Sequence, residues 1–183
     1  MRILDGVHRA ALKKRAQEAQ VHGSADRRLA LARECIEHQM HEEAIRLYES
    51  CLQGGCARDS SVLFRLARAA VDAAHWDKAE ATIVRLKAEA PKTRPLEVRL
   101  LEARVLEGRG RRGAAYALYR EILPRFMGLE ARYRFGMLLM KQGERDAAVD
   151  TFNGIVDLGK RFAPSLEEEQ RWVAAARQAL RAA

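Results

Sequence analysis

The sixteen residues Ala67-Arg68-Ala69-Ala70-Val71-Asp72-Ala73-Ala74-His75-Trp76-Asp77-Lys78-Ala79-Glu80-Ala81-Thr82 decide how the rest of the chain is read. A small residue, Ala67, is followed twelve positions later by Ala79, and then by Ile83 and Leu86. The same set recurs as Ala32, Ala44, Tyr48 and Cys51, as Ala103, Ala115, Tyr119 and Ile122, and as Gly136, Ala148, Phe152 and Ile155. The anchor alanines 44, 79, 115 and 148 lie 35, 36 and 33 residues apart. A period of that length suits a unit of two helices that cannot bury its apolar face alone and must stack on the next. The expected fold is therefore all-α: a right-handed α-solenoid of about four helical hairpins, with a leading N-terminal helix and a C-terminal capping helix. No run of β-branched residues alternating with polar ones competes with it.

Working outward, residues 1–24 read as a basic amphipathic helix, with Leu4, Val7, Ala11 and Leu12 on one face and Arg9, Lys13 and Lys14 on the others. Residues 25–163 hold the four repeats and residues 164–183 the capping helix. Ser24 or Asp26 can cap the first hairpin, and Asp59, Ser60 or Ser61 the second. The hairpin helices are expected at about 26–38 and 42–53, up to 74 and 76–90, 96–107 and 113–123, and 129–141 and 144–158. Gly54-Gly55, Pro91, Gly108, Gly110 and Gly143 serve as punctuation, with Gly54-Gly55 supplying left-handed backbone. Ser165-Leu166-Glu167-Glu168 has the form of a capping box.

A chain of 183 residues with 48% hydrophobic and 32% charged residues can bury a core, and its net charge of +8 favours anionic partners. No stretch approaches the roughly 20 apolar residues that span a bilayer, and no signal-like apolar core follows Met1. Cys35, Cys51 and Cys56 are odd in number, and two fall at packed repeat positions, which predicts reduced thiols and a cytoplasmic setting.

The spacing and residue types resemble the tetratricopeptide repeat (TPR) family over about residues 26–160. The chain departs from that pattern in lacking the tryptophan that often opens the first helix, and in carrying proline at a repeat boundary only once, at Pro91. More loosely, Leu47–Gly54 and Leu129–Arg134 are similar to the soluble part of uncharacterised bacterial proteins. In those proteins the repeats follow a membrane segment of the kind found at the start of phospholipase D-like enzymes. That resemblance implies a place at the inner face of a bacterial membrane.

The sequence offers little for chemistry. Cys35, His38 and His41 are spaced poorly for a metal and read as a packed thiol beside two solvent-facing histidines. Cys51 and Cys56 suit neither a redox pair nor a zinc knuckle. Phosphate loops, nucleophile elbows and carboxylate pairs in apolar settings are absent from the sequence. No catalytic residue, metal or cofactor is expected.

The TPR resemblance implies a concave groove lined by the first helix of each hairpin. Its offsets select Leu29, Arg33 and Glu37, then Phe64, Arg65, Arg68 and Asp72, then Leu100, Leu101, Arg104 and Glu107, then Tyr133, Arg134, Met137 and Met140. Of these, Arg33, Phe64, Arg65, Arg68, Leu101, Arg104, Tyr133, Arg134 and Met137 are the candidate partner-binding residues. Arg33, Arg68 and Arg104 each follow the small residue, which predicts a ladder of solvent-facing guanidinium groups for an acidic peptide or helix of a partner protein. The competing reading is that Glu37, Asp72 and Glu107 neutralise those arginines from one turn along the same helices. Two other functions remain open from the sequence. One is a helical repeat that binds nucleic acid, against which the interleaved acids count. The other is a membrane-peripheral adaptor held by residues 2–15.

Overall fold

The repeat register dictates which side chains must meet, and all sixteen of the recurring positions are buried, from Ala32 in the first set to Ile155 in the last. A computed structural model describes residues 2–162 and 167–182. Among them the chain forms α1 (Arg2–His22), α2 (Ala25–Glu37), α3 (His41–Leu52), α4 (Ser60–Asp72), α5 (Trp76–Glu89), α6 (Pro95–Gly108), α7 (Arg112–Ile122), α8 (Leu129–Gln142), α9 (Arg145–Phe162) and α10 (Glu167–Ala182). The architecture is an all-α helical repeat. By contact the chain divides into two compact units, 1–109 and 110–183, so the third predicted hairpin contributes α6 to one and α7 to the other. Within the first, α1 packs on α2 and α3, each hairpin partner packs on its mate, α3 packs on α4, and α6 packs on both α5 and α4. Within the second, α7 packs on α8, while α8, α9 and α10 pack on one another.

Local chemistry sets the helix ends. The Ser24 hydroxyl accepts from the Arg27 amide at 3.3 Å, and the Asp59 carboxylate accepts from the amides of Ser61 and Val62 at 2.8 and 3.3 Å. Partial burial pushes the Asp59 carboxyl up, but the bonds from Ser61 and Val62 outweigh it and leave the group below its ordinary value. A depressed folded value means that the cap's contribution is present above the unfolded value near 3.9 and is lost as pH falls through the folded one. Asp59→Ala is therefore expected to cost about 1 kcal/mol at neutral pH. In urea melts the gap between the two proteins should close only below about pH 3.9.

The turn inside the hairpins is one motif repeated. After α2, the Gln39 amide bonds the Ile36 carbonyl at 3.0 Å and the Met40 amide bonds that of Cys35 at 2.8 Å. Ala74 and His75 make the same pair after α4, and Gly143 and Glu144 after α8. The motif needs a left-handed residue two places before the next helix, and that residue is Gln39 (φ 56°), Ala74 (φ 58°), Gly110 (φ 74°) and Gly143 (φ 84°) in turn. Two of the four are thus L-residues held where the left-handed region costs about 1–2 kcal/mol. Ala74→Gly should raise stability by about 1 kcal/mol after the extra freedom of glycine in the unfolded chain is counted, read as a higher urea midpoint. The sequence expectation for Gly54-Gly55 is corrected here: neither glycine has positive φ.

Two further expectations shift. On α1, Val7 is 65% exposed and Ala11 is exposed too; the buried stripe is Leu12, Ala16 and Ala19, because small residues let the helix lie close on α2 and α3. Leu4 and the Ser165 side of the proposed capping box lie outside the residues whose side chains are described. Gly108 is the last residue of α6 rather than part of a turn, and a Cβ there would come within 2.4 Å of the Trp76 ring. Gly159 sits inside α9, past the expected end at Leu158, where a Cβ would meet Val173 of α10 at 2.7 Å.

Candidate functional site

In residues 1–109 the relevant surface is the one carried by the first helices α2, α4 and α6. Arg33, Arg65 and Arg68 are exposed there. Arg104 is different, with a side chain only 10% exposed whose Nη2 lies 2.6 Å from Asp72 Oδ1. Asp72 belongs to α4 and Arg104 to α6, so this carboxylate reaches Arg104 from the preceding first helix. Arg104 is thus a tie between helices and not a solvent-facing rung. Related ties run between the second helices and turns: Lys78 to Glu49, His75 Nε2 to Glu42 Oε1 at 2.9 Å, and Arg109 Nη2 to Glu80 Oε2 at 2.8 Å.

The apolar candidates of this unit turn inward. Leu101 is 3% exposed and packs in the core, because α6 lies against both α4 and α5. Phe64 is 7% exposed, and the guanidinium of Arg94 lies 5.1 Å from its ring centre. Arg94 has left-handed backbone (φ 45°, ψ 55°) immediately before Pro95, which opens α6. Both residues are therefore corrected from groove wall to core.

Tyr48 joins the site without having been selected for it. The sequence marks it only as a packed aromatic, and it is 2% exposed on α3. Burial pushes its hydroxyl up, opposed by the Arg65 guanidinium that hydrogen-bonds it and by the charge of Arg33. A signal was available: tyrosine in place of phenylalanine at a buried position brings a hydroxyl that needs a partner. Arg33 makes no ion pair with Glu37 among the described residues.

In residues 110–183 the first helix is α8, and α10 lies on it. Tyr133 stacks 5.3 Å from Trp172 and 5.8 Å from Phe152. Arg134 donates from Nε to Glu130 Oε1 at 2.7 Å and sets its guanidinium 5.6 Å from the Trp172 ring centre. Met137 is half-buried against the same cluster. The two contacts with Trp172 come from a residue nearly forty positions away, which helical periodicity does not encode.

All three cysteines are free. Cys35 is pushed up to about 11, first by burial and then by the carboxylates of Glu43 and Glu34, and Cys51 is raised by burial. Thiols so held are protonated and poor ligands or nucleophiles at neutral pH. No group of three or more His, Cys, Asp or Glu among the described residues is arranged to hold a metal ion.

No family model matches the chain, and no curated protein matches it. Among solved structures it is similar to YrrB, described as a TPR protein with an unusual peptide-binding site, at a TM-score of 0.51 and 15% identity over 85% of this chain and 86% of that one. The fold is that of the tetratricopeptide repeats. The TPR register explains why the small residue is tolerated once as glycine. A Cβ on Gly136 would come within 2.6 Å of Phe152 Cε1, the aromatic sixteen positions later. Among the described residues no helix is long and apolar enough to cross a membrane.

Proposed function

We propose that the chain is a non-catalytic scaffold in the cytoplasm that holds an acidic peptide or helix of a partner protein on the face formed by α2, α4 and α6. The observation that carries this reading is the exposure of Arg33, Arg65 and Arg68 on successive first helices. Forked guanidinium bonds to carboxylates supply both orientation and charge-assisted strength. The solved TPR protein named above, which has a peptide-binding site, supports a peptide as the ligand class. A membrane-peripheral role through residues 2–15 finds less support, because Leu12 is spent on packing and Lys13 lies 4.0 Å from Glu43.

The test begins with affinity capture from the native organism and continues with calorimetric titration of the captured partner. Arg68→Glu is expected to weaken binding at least tenfold, equivalent to about 1.4 kcal/mol, while circular dichroism stays unchanged. Undiminished affinity would place the partner elsewhere on the protein. Steep salt dependence on a generic oligonucleotide, with no protein partner, would favour nucleic acid instead.

A further inference from the structure

Two histidines thirty positions apart meet between α1, which carries His8, and the C-terminal cap of α2, which is His38. His8 Nε2 lies 3.2 Å from His38 Nε2, with the ring centres 4.6 Å apart and the planes tilted by 53°. In a straight N–H···N bond each ring would add its own radius to the separation of the nitrogens and carry the centres beyond about 5 Å. The rings are therefore bent off the line between their nitrogens, where a hydrogen bond is weak. The same spacing suits a shared ion: two imidazole nitrogens bound tetrahedrally at about 2.05 Å lie about 3.3 Å apart. The His8 side chain is 51% exposed, so an ion reaches it from solvent without any helix opening.

We propose that His8 and His38 chelate one divalent transition-metal ion of the zinc type through their Nε2 atoms, and so fasten the leading half of α1 to the first hairpin. Imidazole selects such ions over magnesium and calcium, which take oxygen ligands. Glu34 Oε1 stands 4.0 Å from His8 Nε2 but is held by Arg15 at 2.9 Å, so it lends negative charge beside the ion rather than a third bond. Two protein nitrogens with water in the remaining positions make an exchangeable site, looser than a four-ligand structural one. The fold gives the link a role. On α1 the buried stripe begins at Leu12 and residues 6–11 are exposed, so packing ties down only the later part of the helix.

The experiment is calorimetric titration of the full chain with zinc chloride, joined to thermal melts and to hydrogen exchange along α1. Zinc is expected to raise the melting temperature, because an ion that binds the folded chain stabilises it, and to slow exchange at the amides of residues 8–15. His8→Ala and His38→Ala should each weaken zinc binding at least tenfold, whereas His22→Ala, at the exposed end of α1, should change it less than about twofold. Loss of the zinc-induced protection of α1 in His38→Ala, a change outside that helix, reads the link itself. Magnesium should leave the melt unchanged. A zinc response equal in His8→Ala and wild type would put the ion elsewhere and overturn the chelate, as would no response in wild type. A response to magnesium as large as that to zinc would overturn it too, in favour of unspecific charge effects. Circular dichroism of each variant without metal separates lost binding from lost structure, and the exposed His8 supplies the variant that keeps the fold.

Discussion

Gly136→Leu is expected to destabilise the protein by about 3 kcal/mol, the upper end of the usual cost of forcing extra atoms into a packed contact. The Phe152 ring leaves no room, since even a Cβ would meet three of its carbons at 2.6, 2.9 and 3.1 Å. The ring cannot retreat, being fully buried and stacked beside Tyr133. Gly154→Ala, on the same hairpin, should act in the opposite direction. Nothing lies within 4 Å of a Cβ there. Alanine in place of glycine inside an exposed helix stabilises by about 0.5–1 kcal/mol. Urea melts of the two variants beside wild type read the contrast directly. A Gly136→Leu midpoint equal to wild type would mean that α8 and α9 do not cross closely at Gly136 and Phe152.

Arg104→Glu is expected to cost about 2–3 kcal/mol, less than the loss of a fully buried pair because Asp72 keeps 24% of its side chain exposed. The substitution removes a guanidinium from a nearly enclosed position and sets a second carboxylate against Asp72. Arg33→Glu, on an exposed side chain, should leave stability within about 0.5 kcal/mol. The charge-swapped double variant Asp72→Arg with Arg104→Asp should recover part of the loss, as the coupling between two groups in contact predicts. Equal urea midpoints for Arg33→Glu and Arg104→Glu would show the Asp72 tie to be energetically empty. The sequence alone groups these arginines together, since each follows the small residue of its repeat. What separates them is whether another helix lies over the position.

That separation marks where the sequence stops being informative. Small residues at 32, 67, 103 and 136 and alanines at 44, 79, 115 and 148 betray the fold because close helix crossings accept little else, and helical spacing brings their partners round to the same face. Turn geometry was legible only where glycine revealed it. Gln39 and Ala74 adopt the same left-handed backbone as Gly110 and Gly143, and nothing in their chemistry announces it. Surface assignments were weakest, because exposure on a first helix depends on what packs beside it. α6 against α4 takes Leu101 inward, Arg94 covers Phe64, and Trp172 from the end of the chain lies on Tyr133 and Arg134. Tyr48 escaped notice for a different reason: a repeat position that reads as pure packing also carried a hydroxyl.

The close association of α10 with α8 has a consequence for how the second unit opens. The Leu129 amide at the start of α8 donates to Glu169 Oε2 at 3.0 Å, and no side chain at Gly128 offers a substitute. Tyr133 likewise finds Trp172, and Gly159 finds Val173, only when the last helix arrives. When α10 undocks, α8 therefore loses its carboxylate cap at Leu129 and the aromatic cover of Tyr133 in one event. Release of α10 and fraying at the start of α8 are thus a single cooperative opening, which hydrogen exchange at the Leu129 amide reads directly.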